Sequence, residues 1–165
     1  MLREATVHDA KALLALIKQV EEESSYMLYE AGERNTTLES QRKMLEFFES
    51  KENSTIFVAE ENVRLIGYLI VIGGDSNQQR HRAYLVIGIL ASHRGKGFGT
   101  ALFKEVESWA KSKAIYRLDL TAVVDNEAGV NLYEKAGFEI EGVKRDSLKI
   151  DGEYVDEDYM GKLLD

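Results

Sequence analysis

Residues 94–100 read Arg94-Gly95-Lys96-Gly97-Phe98-Gly99-Thr100. Upstream lies a β-rich run, Ala83 to Leu90, and downstream Leu102, Phe103, Val106, Trp109 and Ala110 recur at helical spacing. The stretch is therefore a strand-to-helix connection, and its composition predicts an anion site. Glycines let the backbone turn tightly and approach a ligand closely; the first free N–H groups of the helix, at the positive end of its dipole, then face that ligand. Arg94 and Lys96 add charge, and a pyrophosphate is the natural occupant.

Three patterns compete for this stretch. A P-loop requires G-x-x-x-x-G-K-[ST], but here Lys96 is followed by Gly97 and no earlier glycine sits at the required spacing. A dinucleotide fingerprint is approximated by Gly95, Gly97 and Thr100, with Asp119 about 20 residues on as a ribose-binding acid. Against it, Asp119 falls inside a strand rather than at its end, and an antiparallel hairpin precedes the motif where a doubly wound domain would begin. The third pattern, R-x-x-G-x-G, is met by Arg94, Gly97 and Gly99.

Working outward, a short strand over 2–5 leads into Thr6-Val7-His8-Asp9, a capping box opening a helix whose apolar side is Ala10, Leu13, Leu14, Ile17 and Val20. A second box, Thr36-Thr37-Leu38-Glu39, opens a helix carrying Met44, Leu45 and Phe48. The polar, tyrosine-bearing segment between these helices is a candidate substrate loop. Runs 55–59 and 65–71, joined at Glu61-Asn62, read as a hairpin. Tyr116 to Val123 is a further strand, a short helix starts near Glu127 and stops at Gly137, and 138–164 forms two strands turning at Asp151-Gly152. No repeat or linker interrupts this order. It predicts one α/β domain of the α+β type over 1–165, a mixed, mostly antiparallel central sheet flanked by about four helices, with one parallel pairing around the glycines.

Composition narrows the function. The chain has 44% hydrophobic and 30% charged residues, a soluble globular balance, and no run of membrane-spanning length or signal-peptide pattern, so it reads as cytoplasmic with no membrane partner. Absence of cysteine excludes a disulfide framework, a thiolate zinc site and a sulfur-bound acyl intermediate. No histidine or carboxylate cluster has metal-ligand spacing. His8 and His81 are isolated, and His93 beside Arg94 reads as loop surface. A net charge of -8 argues against nucleic acid and suits a cationic small molecule or basic peptide, although the runs Glu21-Glu22-Glu23 and Asp156-Glu157-Asp158 read first as solvated faces.

The strand Val86-Ile87-Gly88-Ile89-Leu90, the motif from Arg94 to Phe103, a second strand, and Asn126-Glu127-Ala128-Gly129-Val130-Asn131-Leu132-Tyr133-Glu134-Lys135-Ala136-Gly137-Phe138 together resemble the GCN5-related N-acetyltransferase (GNAT) superfamily. The resemblance covers roughly Ile56 to Met160, and the tail from Glu141 is similar to that of bacterial members. It implies the acyl-CoA N-acyltransferase fold, acetyl-CoA as co-substrate with no metal, and transfer of acetyl to a primary amine, either a small molecule or a peptide N-terminus or lysine, by direct attack in a ternary complex. It further implies a splayed strand whose main chain at Ile87, Gly88 and Ile89 pairs with the pantetheine arm and supplies an oxyanion donor. The pyrophosphate cradle maps to Arg94, Gly95, Lys96, Gly97, Phe98, Gly99 and Thr100, and Asn126 falls at the pantetheine-side asparagine. Homodimers are common among such domains.

Tyr133 matches the tyrosine that protonates the departing CoA thiolate, a reasonable role for a phenol near pKa 10 facing a thiolate of slightly lower basicity; packing under the cofactor is its alternative. The base is left open. Some relatives place a glutamate where this chain has Thr121, with Asp119 two residues earlier on the same strand face; water, Glu30 or Glu33 are the other candidates. A catalytically silent CoA-binding sensor or interaction module is the alternative function, because R-x-x-G-x-G binds phosphate and performs no chemistry.

Overall fold

Ile56-Phe57-Val58-Ala59 is apolar at every step rather than at alternate ones, and a strand of that kind needs cover on both faces. The structure, a computed structural model describing residues 1–165, supplies it. Strands β1 (Leu2–Glu4), β2 (Thr55–Glu61), β3 (Arg64–Gly73), β4 (Arg82–Ile89), β5 (Arg117–Val123), β6 (Glu139–Ile150) and β7 (Glu153–Leu163) form one sheet in the order β1-β2-β3-β4-β5-β7-β6. Every pairing is antiparallel except β4 with β5.

Helices α1 (Ala10–Glu23) and α2 (Leu38–Ser50) cover one face of β1 to β4, where Ile56, Val58, Ile66 and Tyr68 meet Leu13, Ile17, Val20 and Leu45. Helices α3 (Phe98–Ser112) and α4 (Glu127–Lys135) take the other, where Phe57, Leu69, Leu85, Leu118 and Leu120 meet Leu102, Phe103 and Val106. The alternation is visible within β2 itself: Ile56 and Val58 join one core, Phe57 the other. On α1 it is Leu16 rather than Leu14 that is buried, because the apolar stripe is broad enough for either to complete it.

Thr6 caps as expected, with Thr6 Oγ1 accepting from His8 N–H and Asp9 accepting from Thr6 N–H at 2.7 Å, although the first turn is 3-10 before α1 begins. The second cap is Thr37, whose hydroxyl accepts from Ser40 N–H at 3.1 Å; Thr36 instead lies 3.4 Å from Arg34 Nη1. The β2–β3 turn falls one residue beyond the expected place, at Asn62-Val63, both left-handed (φ 53° and 63°) as a type I′ turn demands. Asp151-Gly152 makes the corresponding turn between β6 and β7. No helix is long and apolar enough to cross a membrane.

The feature that positions the site is a divergence. Strands β4 and β5 pair only at Arg82, Ala83 and Tyr84 opposite Arg117, Leu118 and Asp119, and then separate. β5 keeps its other neighbour, β7, along its whole length.

Candidate functional site

Where β5 leaves, β4 has an unpaired edge. Leu90 N–H donates to the Ile66 carbonyl at 2.9 Å, and antiparallel alternation turns the main-chain groups of Gly88 and Val86 the same way, toward β3. The N–H and C=O of Ile87 and Ile89 therefore face the gap, and the Ile89 carbonyl also accepts from Arg94 Nε at 3.3 Å. Gly88 serves a different end: its missing side chain makes room for the ring of Tyr68.

The gap widens into a cleft of about 1400 Å³. Its walls include Leu85, Ile87 and Leu120, which belong to the α3/α4 side, and Tyr84, Val86 and Thr121, which alternation places on the α1/α2 side. The cleft thus passes through the sheet, joining the glycine loop on one side to the loop over 24–37 on the other. A long, thin molecule laid along it reaches both faces.

At one end stands the loop from Arg94 to Thr100. Gly95 and Gly97 take φ of 73° and 90°, the left-handed region, which bends the chain into the start of α3 without a side chain in the way. The first helical bond runs from Ala101 N–H to the Gly97 carbonyl, so the amides of Gly95 to Thr100 have no acceptor within the protein. Six successive unpaired donors with Lys96 and Arg94 beside them fit a diphosphate. His93 flanks this end, bonded to Ser92 Oγ at 2.7 Å and Glu61 at 3.1 Å and packed edge-on against Phe98.

Helix α4 forms the next part of the wall. Asn126 caps it, Oδ1 accepting from Gly129 N–H at 3.1 Å, which leaves its Nδ2 group as a donor. Tyr133, half-buried, packs edge-on against Phe103 with centroids 5.8 Å apart, and its hydroxyl has no partner in the protein. Burial pushes its phenol up to about 12, so it is a neutral proton donor throughout the physiological range.

Beyond the sheet lies a polar end. Glu21, 2% exposed, is held by Arg34, whose Nε and Nη2 donate to it at 2.9 and 2.8 Å, and Tyr29 lies under the guanidinium at 4.6 Å. The Glu21-Glu22-Glu23 run is therefore not simply a solvated face: its first member anchors the 24–37 loop. Gln41, also 2% exposed, lines this end with its Nε2 unpartnered. Glu30 and Glu33 are exposed, bonded to each other through Glu30 N–H and Glu33 Oε1 at 3.0 Å, and are not part of the wall.

Of the expected residues, Ile87, Gly88, Ile89, Arg94, Gly95, Gly97, Phe98, Gly99, Thr100, Asn126 and Tyr133 all line this one cleft. Lys96 stands outside the wall on the exposed turn. Asp119 is committed elsewhere, accepting from Arg117 Nε at 2.6 Å while Arg117 also bonds Glu141. That pairing removes Asp119 as a base and as a ribose-binding acid. Sequence reading missed Tyr84, whose hydroxyl lies 2.9 Å from Thr121 Oγ1, and Glu157, which strand alternation on β7 could have placed on the cleft face.

A seven-stranded sheet opened between its parallel pair, with a row of free amides at the following helix, defines an acyl-CoA N-acyltransferase fold. The profile of the acetyltransferase (GNAT) family matches residues 15–138, and the chain belongs to that family. Over 103 residues it is 30% identical to the L-amino acid N-acetyltransferase AaaT of Escherichia coli K12; the match spans 60% of this chain and 62% of that protein. A solved GNAT-family acetyltransferase from Streptococcus pneumoniae is 30% identical and superimposes with a TM-score of 0.95, covering 100% of this chain and 99% of the other. The yncA protein of Salmonella typhimurium, solved with its cofactor acetyl-CoA, shares the fold at 19% identity with a TM-score of 0.88, covering 100% and 94% of the two chains.

Proposed function

We propose that the protein transfers the acetyl group of acetyl-CoA to a primary amine by direct attack. The observation that carries this reading is the through-sheet cleft with six free amides at one end and a polar acceptor chamber at the other. Family membership and the acetyl-CoA bound in the Salmonella relative support it.

In this reading the amides of Gly95 to Thr100, with Arg94 and Lys96, hold the diphosphate. The Ile87 and Ile89 main chain and Asn126 hold the arm. When bound, acetyl-CoA supplies an activated acyl carbon and a thiolate leaving group. Ile87 and Ile89 N–H stand on the edge where the acyl oxygen needs a donor. Tyr133 keeps its proton for the departing sulfur; its raised pKa keeps it protonated but makes the transfer less favourable than an ordinary phenol's would be. The loop over 24–37, anchored by Arg34 and Glu21 and bearing Glu30 and Glu33 at its tip, frames the acceptor.

The E. coli relative named for L-amino acids suggests an α-amine, free or at a peptide N-terminus, as the acceptor to try first. The test is thiol release from acetyl-CoA by the purified protein across amino acids, polyamines and short peptides. Release with at least one amine supports the transferase; tight acetyl-CoA binding with no release from any of them would instead favour a silent CoA-binding module. The single chain over 1–165 is taken as the unit assayed, with its dimerisation measured alongside.

A further inference from the structure

An alkylammonium cannot attack a thioester until it loses a proton, since its pKa lies near 10.4. The cleft must therefore offer that proton a destination, and its walls contain three carboxylates, Glu21, Glu23 and Glu157. Glu21 is buried and occupied by Arg34. Glu23 accepts the Ala91 N–H at 2.8 Å and the Gln19 amide at 3.1 Å, and these bonds, with Arg94 and Arg64 nearby, hold its carboxyl below the usual range, which makes it a poor base. Asp119 is tied to Arg117, and His93 is tied to Ser92 and Glu61.

Glu157 is different. It accepts only the hydroxyl of Ser147, and no cation lies within 4.0 Å of it. Half-buried in the cleft wall, it is in reach of a ligand there.

Its place in the ladder is also the right one. On β7, Glu157 stands opposite Val123 and Tyr159 opposite Thr121, so both point to the α1/α2 side, away from Leu120 and Ala122 in the other core. β4 and β5 are last in register at Tyr84 and Asp119. Counting on from there brings Val123, and Glu157 beside it, level with Gly88, at the height where β4 offers the Ile87 and Ile89 N–H groups. The ionisable groups around Glu157 are Lys144, its cross-strand neighbour on β6, Tyr159 on β7 and, across the gap, Tyr84 bonded to Thr121. Asp156 accepts from Asp146 N–H, and Asp158 is buried on the opposite face.

We infer that Glu157, oriented by Ser147, takes the proton from the acceptor amine. This assignment rests on the acetyltransferase reading. The ammonium gives one proton to the Glu157 carboxylate; its nitrogen lone pair then forms the C–N bond as the C–S bond breaks. The nitrogen sheds a second proton to become the neutral amide, the sulfur gains one from Tyr133, and Tyr133 is reprotonated. The sum is one ammonium and one thioester giving one amide, one thiol and one proton.

The experiment compares wild type with Glu157→Gln in thiol release from acetyl-CoA, using an amine the wild type accepts and the alkoxyamine of the same length, which is neutral at pH 7. Acetyl-CoA affinity is followed by calorimetry. We expect Glu157→Gln to lose at least 100-fold in kcat with the amine, in the range of about 10² to 10⁴ typical of a lost proton acceptor, while acetyl-CoA affinity and the alkoxyamine rate stay within about fivefold. If Glu157→Gln does not fold, Glu157→Asp, which withdraws the carboxylate by about 1 Å, serves instead, with a loss of at least about tenfold confined to the amine. Amine turnover by the variant within threefold of wild type, or equal losses with both nucleophiles, would overturn the assignment. No thiol release by the wild type with any amine would sink the transferase reading, and this assignment with it, without reference to the variant.

Discussion

The ring of Tyr68 on β3 occupies the space that a side chain at Gly88 on β4 would need: a Cβ there would meet Tyr68 Cε1, Cζ and Oη at 2.6 Å. Tyr68 is itself 1% exposed and carries a phenol that burial pushes above its usual range, so it cannot step aside into solvent. Gly88→Ala forces either β4 or Tyr68 to move. We expect a loss of about 1–3 kcal/mol by urea denaturation, together with weaker acetyl-CoA binding because the displaced strand carries the Ile87 and Ile89 donors. Unchanged stability and affinity would mean that β4 is held less tightly than this packing indicates.

Tyr133→Phe removes a hydroxyl that bonds nothing in the protein, so stability at neutral pH should change by less than about 0.5 kcal/mol. Thiol release should fall about 10- to 100-fold, with acetyl-CoA affinity retained. The pH dependence follows from the raised phenol. The folded state holds the Tyr133 proton more tightly than the unfolded chain, so this contribution is fully present below pH 10 and is lost as pH rises through about 12. Alkaline unfolding of Tyr133→Phe should therefore be shallower between those limits. Full turnover by this variant would reassign Tyr133 to packing alone.

Two ion pairs, one tying the 24–37 loop to α1 and one within α2, should behave very differently. Arg34→Ala leaves Glu21 buried without a partner, and we expect it to cost about 3–5 kcal/mol and to raise KM for the acceptor by loosening the 24–37 loop. Lys43→Ala breaks the pair with Glu39, whose side chains are 72% and 79% exposed, and should cost no more than about 0.5 kcal/mol. Comparable effects for the two in chemical denaturation would show that Glu21 is better solvated than its surroundings suggest.

Val63 is a β-branched residue held at φ 63° in the β2–β3 turn and 93% exposed. Val63→Gly gives Asn62 the partner a type I′ turn prefers, relieving roughly 1 kcal/mol of strain. A rise of about 2–4 °C in melting temperature is expected. Because Asn62 and Val63 contribute nothing to the cleft wall, acetyl-CoA affinity should be unchanged.

The parts of this molecule legible in its sequence are those written locally. The helix stripe of Leu102, Phe103, Val106 and Ala110, the turn at Asp151-Gly152 and the glycine loop depend on neighbours in the chain, and each lies where its pattern indicates. Local signals blurred where two candidates stood side by side, as with Thr36 and Thr37, or where Val63 occupied a turn position that chemistry normally gives to glycine. What lay out of reach was made by contacts between distant strands and loops. Nothing near Gly88 announces Tyr68, nothing near Glu21 announces Arg34 across 13 positions, and Glu157 is distinguished only after its rival carboxylates are seen to be paired.

The central claim is that the free amides from Gly95 to Thr100 hold the diphosphate of acetyl-CoA. Calorimetric titration of the wild-type chain with acetyl-CoA, NADH and ATP tests it most directly, with Gly97→Ala as the loop control. One acetyl-CoA bound per chain, no heat with NADH or ATP at the same concentrations, and weakened binding in Gly97→Ala are the expected results. Absence of acetyl-CoA binding, or equal binding of NADH, would contradict it.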